Sequence, residues 1–162
     1  MPTVPFWKNS RGELFVIAQF VVFGLIALAP RNLPGFPEWS NSFKTAGTIA
    51  GGLMLVSGFM LAAAGTFNLG RKLTPFICPK AGSLLLEKGA YRLVRHPVYS
   101  GLLQICFGWG LWTHGWLTLG YGLILFLIFD LKSRREEQFL RARFPGYAAY
   151  SRRVKRLIPF IY

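Results

Sequence analysis

Acidic side chains are scarce in this sequence. Six Asp and Glu stand against nineteen Lys and Arg, for a net charge of +13. A soluble chain that basic would point to nucleic acid. Here, however, Thr45 to Phe67 and Pro97 to Phe129 contain no Asp, Glu, Lys or Arg at all. Nucleic-acid modules do not carry uncharged apolar runs of that length, so nucleic acid is excluded as the partner and a bilayer takes its place. Cysteine is also scarce. Cys106 falls inside an apolar run and Cys78 in a polar loop, which leaves no disulfide framework. Histidine occurs only as His96 and His114. The chain has no metal-ligand spacing, no glycine-rich phosphate loop and no Ser-His-Asp pattern, so metal and serine-hydrolase chemistry find no support. Internal repeats and low-complexity segments are missing as well.

Apolar runs dominate, at 52% hydrophobic residues. Four membrane spans are expected, at about 14–29, 45–67, 98–113 and 116–131. The first ends in Ala29-Pro30-Arg31 without a small-x-small cleavage site and reads as a retained span. Pro30, Pro34, Pro37 and Trp39 make the connection that follows. In the second span Gly47, Gly51 and Gly58 share a face that Ala62 and Gly65 continue, which lets a neighbouring helix approach closely. The uncharged stretch from Pro97 to Phe129 is too long for one span. It is read as a hairpin turning at His114-Gly115, with Trp112 and Trp116 at the interface. The fold class is therefore all-α: a polytopic bundle of about four spans forming one domain over 1–162.

Charge sets the orientation. Seventeen of the nineteen basic residues fall before the first span, between the second and third, or after the fourth; Arg31 and Lys44 alone fall on the other side. The positive-inside rule then places both ends and the long middle loop in the cytoplasm. After Asp130 the chain turns polar, with Glu136 one turn after Lys132 and Arg141 one turn after Glu137. Pro145-Gly146 interrupts that helix. Tyr147, Tyr150, Val154 and Leu157 then recur at helical spacing among arginines, which predicts a basic amphipathic helix on anionic lipid.

Chemistry has one plausible home. Arg95-His96-Pro97-Val98-Tyr99 stands where the third span enters the membrane, and Glu136-Glu137 stand where the fourth leaves it. A short hairpin brings both points to one face, so a cation, an imidazole and two carboxylates are expected together. Arg95, His96 and Glu137 are the candidate catalytic residues. These residues alone name no reaction.

The segment Gly89 to Gly101 resembles the G-x-Y-x-x-x-R-H-P-x-Y-x-G signature of the isoprenylcysteine carboxyl methyltransferases and the related phospholipid methyltransferases. A second block is similar too: Glu136-Glu137 followed by Leu140, Phe144, Tyr147, Tyr150, Val154 and Leu157-Ile158-Pro159. The resemblance covers roughly 67–159. It implies an integral membrane methyltransferase that uses S-adenosylmethionine without a Rossmann fold. By motif position, Leu84, Leu85 and Leu86 would line the adenine side, and Tyr91, His96, Pro97, Val98 and Tyr99 would wrap the methionine and ribose. Glu136 would accept hydrogen bonds from the cofactor. Lys132 stands where the isoprenylcysteine branch has a substrate-facing arginine, and a lysine keeps the charge but loses the bidentate fork. Lys132 is thus the substrate-binding candidate. The acceptor is expected to be a lipophilic molecule reached from the membrane, with no obligate protein partner. The closing Arg156 to Tyr162 is also similar to the end of sterol reductases, which makes an NADPH-dependent membrane reductase the alternative.

Overall fold

The computed structural model describes residues 12–70, 74, 76 and 85–162. Among the described residues every regular element is helical: α1 Glu13–Leu28, α2 Asn41–Leu69, α3 Pro97–Trp112, α4 Trp116–Arg143 and α5 Tyr147–Arg153. A 3-10 turn, Gly89–Arg92, leads into α3. Helices α1 and α3 fall within one residue of the expected bounds, α2 overruns them at both ends, and α4 runs twelve residues beyond the expected end at 131.

Length separates them into two kinds. With 29 and 28 residues, α2 and α4 are long and apolar enough to cross a membrane. The 16 residues of α1 and of α3 reach about 24 Å, short of the ~30 Å hydrocarbon layer. Helix α4 stays apolar through Phe129 and, from Asp130, continues unbroken as a charged helix to Arg143. Large apolar side chains such as Phe20, Leu53, Phe59 and Leu127 point outward. A helical bundle with that exterior suits lipid, because its backbone groups are satisfied within each helix.

The helices are ordered α2, α3, α4, α1 by their contacts, with the closest approach between α2 and α3. Glycine makes that approach possible. A Cβ on Gly51 would lie 2.6 Å from the Gly108 carbonyl oxygen, and one on Gly101 would lie 2.5 Å from the Ala62 nitrogen. The glycine face of α2 is thus seated against α3, and Gly47, Gly51, Gly58 and Gly65 are all buried. Packed between α3, α4 and α1 is an apolar core of Val22, Leu103, Cys106, Leu125 and Phe129. Cys106 is a free thiol; Cys78 lies outside the described residues.

The hairpin between α3 and α4 turns at His114 and Gly115. His114 adopts a left-handed φ of 53°, and the Gly115 N–H donates to the Gly110 carbonyl at 2.9 Å. Asn32 secures the turn from the α1–α2 connection, donating to the His114 carbonyl and accepting from the Trp116 N–H.

The tail departs from expectation. Helix α5 stops at Arg153, and Val154 is extended, so no continuous helix runs from Tyr147 to Leu157. Tyr147, Tyr150 and Leu157 are buried against the protein, at 1%, 3% and 1% exposed. Arg95 accounts for the change, because its guanidinium donates to the carbonyls of Ser151 and Val154. The backbone N–H groups of Arg95 and His96 donate to Lys155 and Arg156. Those bonds draw the chain into an extended pairing that a helix would forbid.

Candidate functional site

One end of the α3–α4 hairpin carries the predicted residues. Pro97 occupies the first turn of α3, where a missing N–H is harmless, and this fixes Arg95 and His96 just outside the helix. Glu136 and Glu137 lie about two turns beyond the apolar part of α4. The hairpin folds these two segments together.

Arg95 Nε donates to Glu137 Oε1 at 2.8 Å and Nη2 donates to Oε2 at 3.3 Å. The pair is largely buried. His96 Nε2 lies 3.3 Å from Glu137 Oε1, and Nδ1 lies 3.6 Å from Glu136 Oε2. The imidazole is therefore set between the two carboxylates. Burial works to raise the Glu137 carboxyl, but hydrogen bonds and charge from His96 and Arg95 outweigh it and hold the group at about 2. Glu137 is thus an anion at neutral pH, fully committed to its neighbours. The expected helical pair with Arg141 does not form, since Glu137 faces this seam while Arg141 packs over the Tyr147 ring.

Glu136 is more open. It accepts from the Tyr99 hydroxyl at 3.1 Å, and its carboxylate side chain is 25% exposed. Burial, and then the charge of Glu136, push the Tyr91 phenol well up, so it stays a neutral donor. The Tyr99 ring stacks on His96 at 5.4 Å and on Phe129 at 4.7 Å. Leu85 and Leu86 are half-buried beside this end of the bundle, and Leu85 approaches Gly146. Leu84 lies outside the described residues. Pro97 and Val98 pack instead on α2, close enough to Gly65 that a Cβ there would fall 2.9 Å from Pro97 Cγ. At the entry to this segment Gly89 has a φ of +59°, with the Asn68 carboxamide filling the space a side chain would need.

Lys132 is fully buried. It makes no ion pair with Glu136 despite the spacing of one turn; its ammonium donates to Gln19 Oε1 at 2.6 Å. It also lies over the rings of Tyr99 and Phe129, at 5.0 and 5.9 Å. Gln19 was absent from the sequence-based candidates. Its signal was nevertheless present, as the one polar side chain in the run from Leu14 to Ala29. Also unforeseen is a second ionic cluster, in which Asp130 receives Arg134, Arg156 and the Tyr162 hydroxyl.

The donor set has a definite chemical character. A half-open carboxylate, two phenols, stacked aromatic faces and leucine side chains suit a cationic ligand that carries hydroxyls and an aromatic base. These features fit S-adenosylmethionine, with Glu136 as hydrogen-bond acceptor. Among the described residues, no three His, Cys, Asp or Glu side chains converge as a metal site.

Residues 46–146 match the family model described as phospholipid methyltransferase. The chain is 30% identical over 153 residues to the cobalt-zinc-cadmium resistance protein CzcN of Cupriavidus metallidurans, covering 94% of this chain and 64% of that protein. It is 32% identical over 134 residues to a probable protein-S-isoprenylcysteine O-methyltransferase of Oryza sativa subsp. indica, covering 78% of this chain and 67% of the relative. A probable protein of the same description from Oryza sativa subsp. japonica matches equally.

Proposed function

This chain belongs to the phospholipid methyltransferase family, and from that premise we propose that it is an S-adenosylmethionine-dependent membrane enzyme methylating a lipophilic acceptor. One observation carries the reading. The motif residues Arg95, His96 and Tyr99 of one segment meet Glu136 and Glu137 of another, at the end of the bundle where the apolar part of α4 stops.

The cofactor supplies the methyl group as a sulfonium, so transfer to the acceptor is an in-line displacement that discharges a cation. Such a step needs alignment and a dry site more than it needs acid–base help. Each residue then has a task. Glu136, which already accepts from the Tyr99 hydroxyl, would accept from the cofactor's hydroxyl or ammonium groups, with Tyr91 as a neutral donor, and Leu85 and Leu86 would cover the base. Arg95 and Glu137 neutralise each other, hold the tail over the site and orient His96. Lys132, buried between Gln19 and the Tyr99 and Phe129 rings, would meet the polar head of an acceptor that enters the bundle. Helices α2 and α4 cross the membrane, the 16-residue α1 and α3 insert beside them as the shorter spans of a four-span bundle, and the seventeen basic residues then fall on the cytoplasmic side.

The test is binding of S-adenosylhomocysteine to the purified protein in detergent, set against NADPH. Glu136→Ala and His96→Ala should each weaken S-adenosylhomocysteine at least about tenfold while the protein stays folded. Labelled S-adenosylmethionine incubated with lipid extract should mark a lipid. NADPH binding in its place, or wild-type affinity in both variants, would overturn the reading.

A further inference from the structure

Ser57 lies near the middle of α2 and Gln104 near the middle of α3, at the depth where a bilayer offers no water. Ser57 is the one polar side chain from Ile49 to Gly65, and Gln104 the one amide in α3. They meet, the Ser57 hydroxyl donating to Gln104 Oε1 at 2.9 Å. The pair faces outward, with Ser57 exposed and Gln104 only partly buried. Its hydrogen bonding is unfinished. A carboxamide brings two N–H donors, and among the described residues Ser57 is the single hydrogen-bond partner of the Gln104 side chain. Turning the amide over would let one N–H reach Ser57, and the other would still have no acceptor. An N–H left open in hydrocarbon is costly, so this surface calls for an acceptor from outside the bundle.

The same surface carries a repeat. Ala46, Ala50, Leu53, Ser57, Met60 and Ala64 follow one another at alternating intervals of four and three, a heptad pattern along α2. All but Ala64 are exposed. The glycine row that seats α3, with Gly51 and Gly58 at its centre, lies to one side of them. Ala50, Ser57 and Ala64 recur every seven residues, so small side chains stand at each level where a second helix would come closest. A strict seven-residue period suits a partner helix wound left-handedly, whereas lipid chains require no period at all. From Thr45 to Phe67 no charge interrupts the face.

We propose that α2 is a self-association surface: two copies of this chain pair in the membrane through the heptad face, closing a ring of hydrogen bonds at Ser57 and Gln104. The occupant follows from what the surface offers. It carries both halves of the missing bond, because the Ser57 oxygen can accept the other copy's Gln104 N–H while donating to its own Gln104. Charge bias inserts every copy the same way round. Two α2 helices therefore run parallel about a two-fold axis along the membrane normal, and residues of the same number meet. The two Ser57 hydroxyls then sit together with a Gln104 on either side, and the four groups satisfy one another. The pairing is independent of the methyl-transfer reading.

The experiment uses the full chain in phosphatidylcholine vesicles, with donor and acceptor fluorophores fused after Tyr162 on separate preparations. Energy transfer is followed as the protein is diluted into lipid. Wild type should show transfer well above that of random crowding, lost reversibly on dilution. Gln104→Leu should raise the dissociation constant about three- to twentyfold, the range that one interhelical hydrogen bond gives in a membrane. Ser57→Ala should act likewise, and combining the two should add little, because both open the same ring. Ala50→Phe, which puts a large side chain at a level of close approach, should abolish pairing. Phe59→Ala changes an exposed position of α2 outside the repeat and should leave the dissociation constant near that of wild type. Ala50 and Phe59 both point outward, so Tm in detergent should be unchanged in either variant, which separates a failure to pair from a failure to fold. Transfer in wild type no greater than random crowding, pairing that survives Ala50→Phe, or an equal loss in Phe59→Ala would each overturn the proposal.

Discussion

Arg95 and Glu137, 42 positions apart, meet in a two-pronged ion pair with contacts of 2.8 and 3.3 Å. The same guanidinium binds the Ser151 and Val154 carbonyls. One side chain therefore ties the start of α3 to the charged end of α4 and to the tail.

Breaking that pair should be severe. Glu137→Gln leaves Arg95 buried without its counter-charge, and loss of one partner of a buried pair costs roughly 3–5 kcal/mol. Thermal unfolding in detergent should show a large fall in Tm. Arg95→Lys should fall nearly as far, because an ammonium cannot serve Glu137 and two carbonyls in the same fork.

Acid should act through the same residue. Folding holds the Glu137 carboxyl at about 2, below its ordinary 4.5, so the unfolded chain binds this proton more readily than the folded one does. The stability it contributes is complete above about pH 4.5 and is lost as the pH falls through about 2. Tm measured from pH 6 down to ~2 should decline over that window. The decline should be shallower in Glu137→Gln, and an unchanged slope would assign acid sensitivity to another group.

The α2–α3 seam should reject side chains. Gly101→Val places a Cβ 2.5 Å from the Ala62 nitrogen, backbone that cannot yield without separating the helices. A loss of about 1–3 kcal/mol is expected from such overpacking. Gly120→Ala is the matched control, since nothing lies within 4 Å of a Cβ there, and its Tm should barely change.

Topology is open to direct measurement. Reporter fusions within the α1–α2 connection, at Pro37, and after Tyr162 should land on opposite sides of the membrane, given that Arg31 and Lys44 alone among nineteen basic residues lie on the first side. Reporters on the same side would remove the four-span arrangement.

The sequence by itself determined the helices, their order and the hairpin turn. Uncharged runs, prolines and tryptophans are local signals, and a bilayer makes helix the only economical state for such runs. It also determined that Arg95, His96 and Tyr99 would meet Glu136 and Glu137, because a short hairpin leaves its two ends no other place to go. Only the tertiary structure decided which partners these groups chose. Helical spacing offered Glu136 to Lys132 and Arg141 to Glu137, yet the inward-facing members turned to Gln19 and Arg95. Spacing likewise made a lipid-facing helix of Tyr147 to Leu157, whereas Arg95 claimed its carbonyls and drew its apolar side chains into the protein. In each case a partner distant in the chain offered a buried, charge-assisted bond, which is worth more than an exposed pair one turn away.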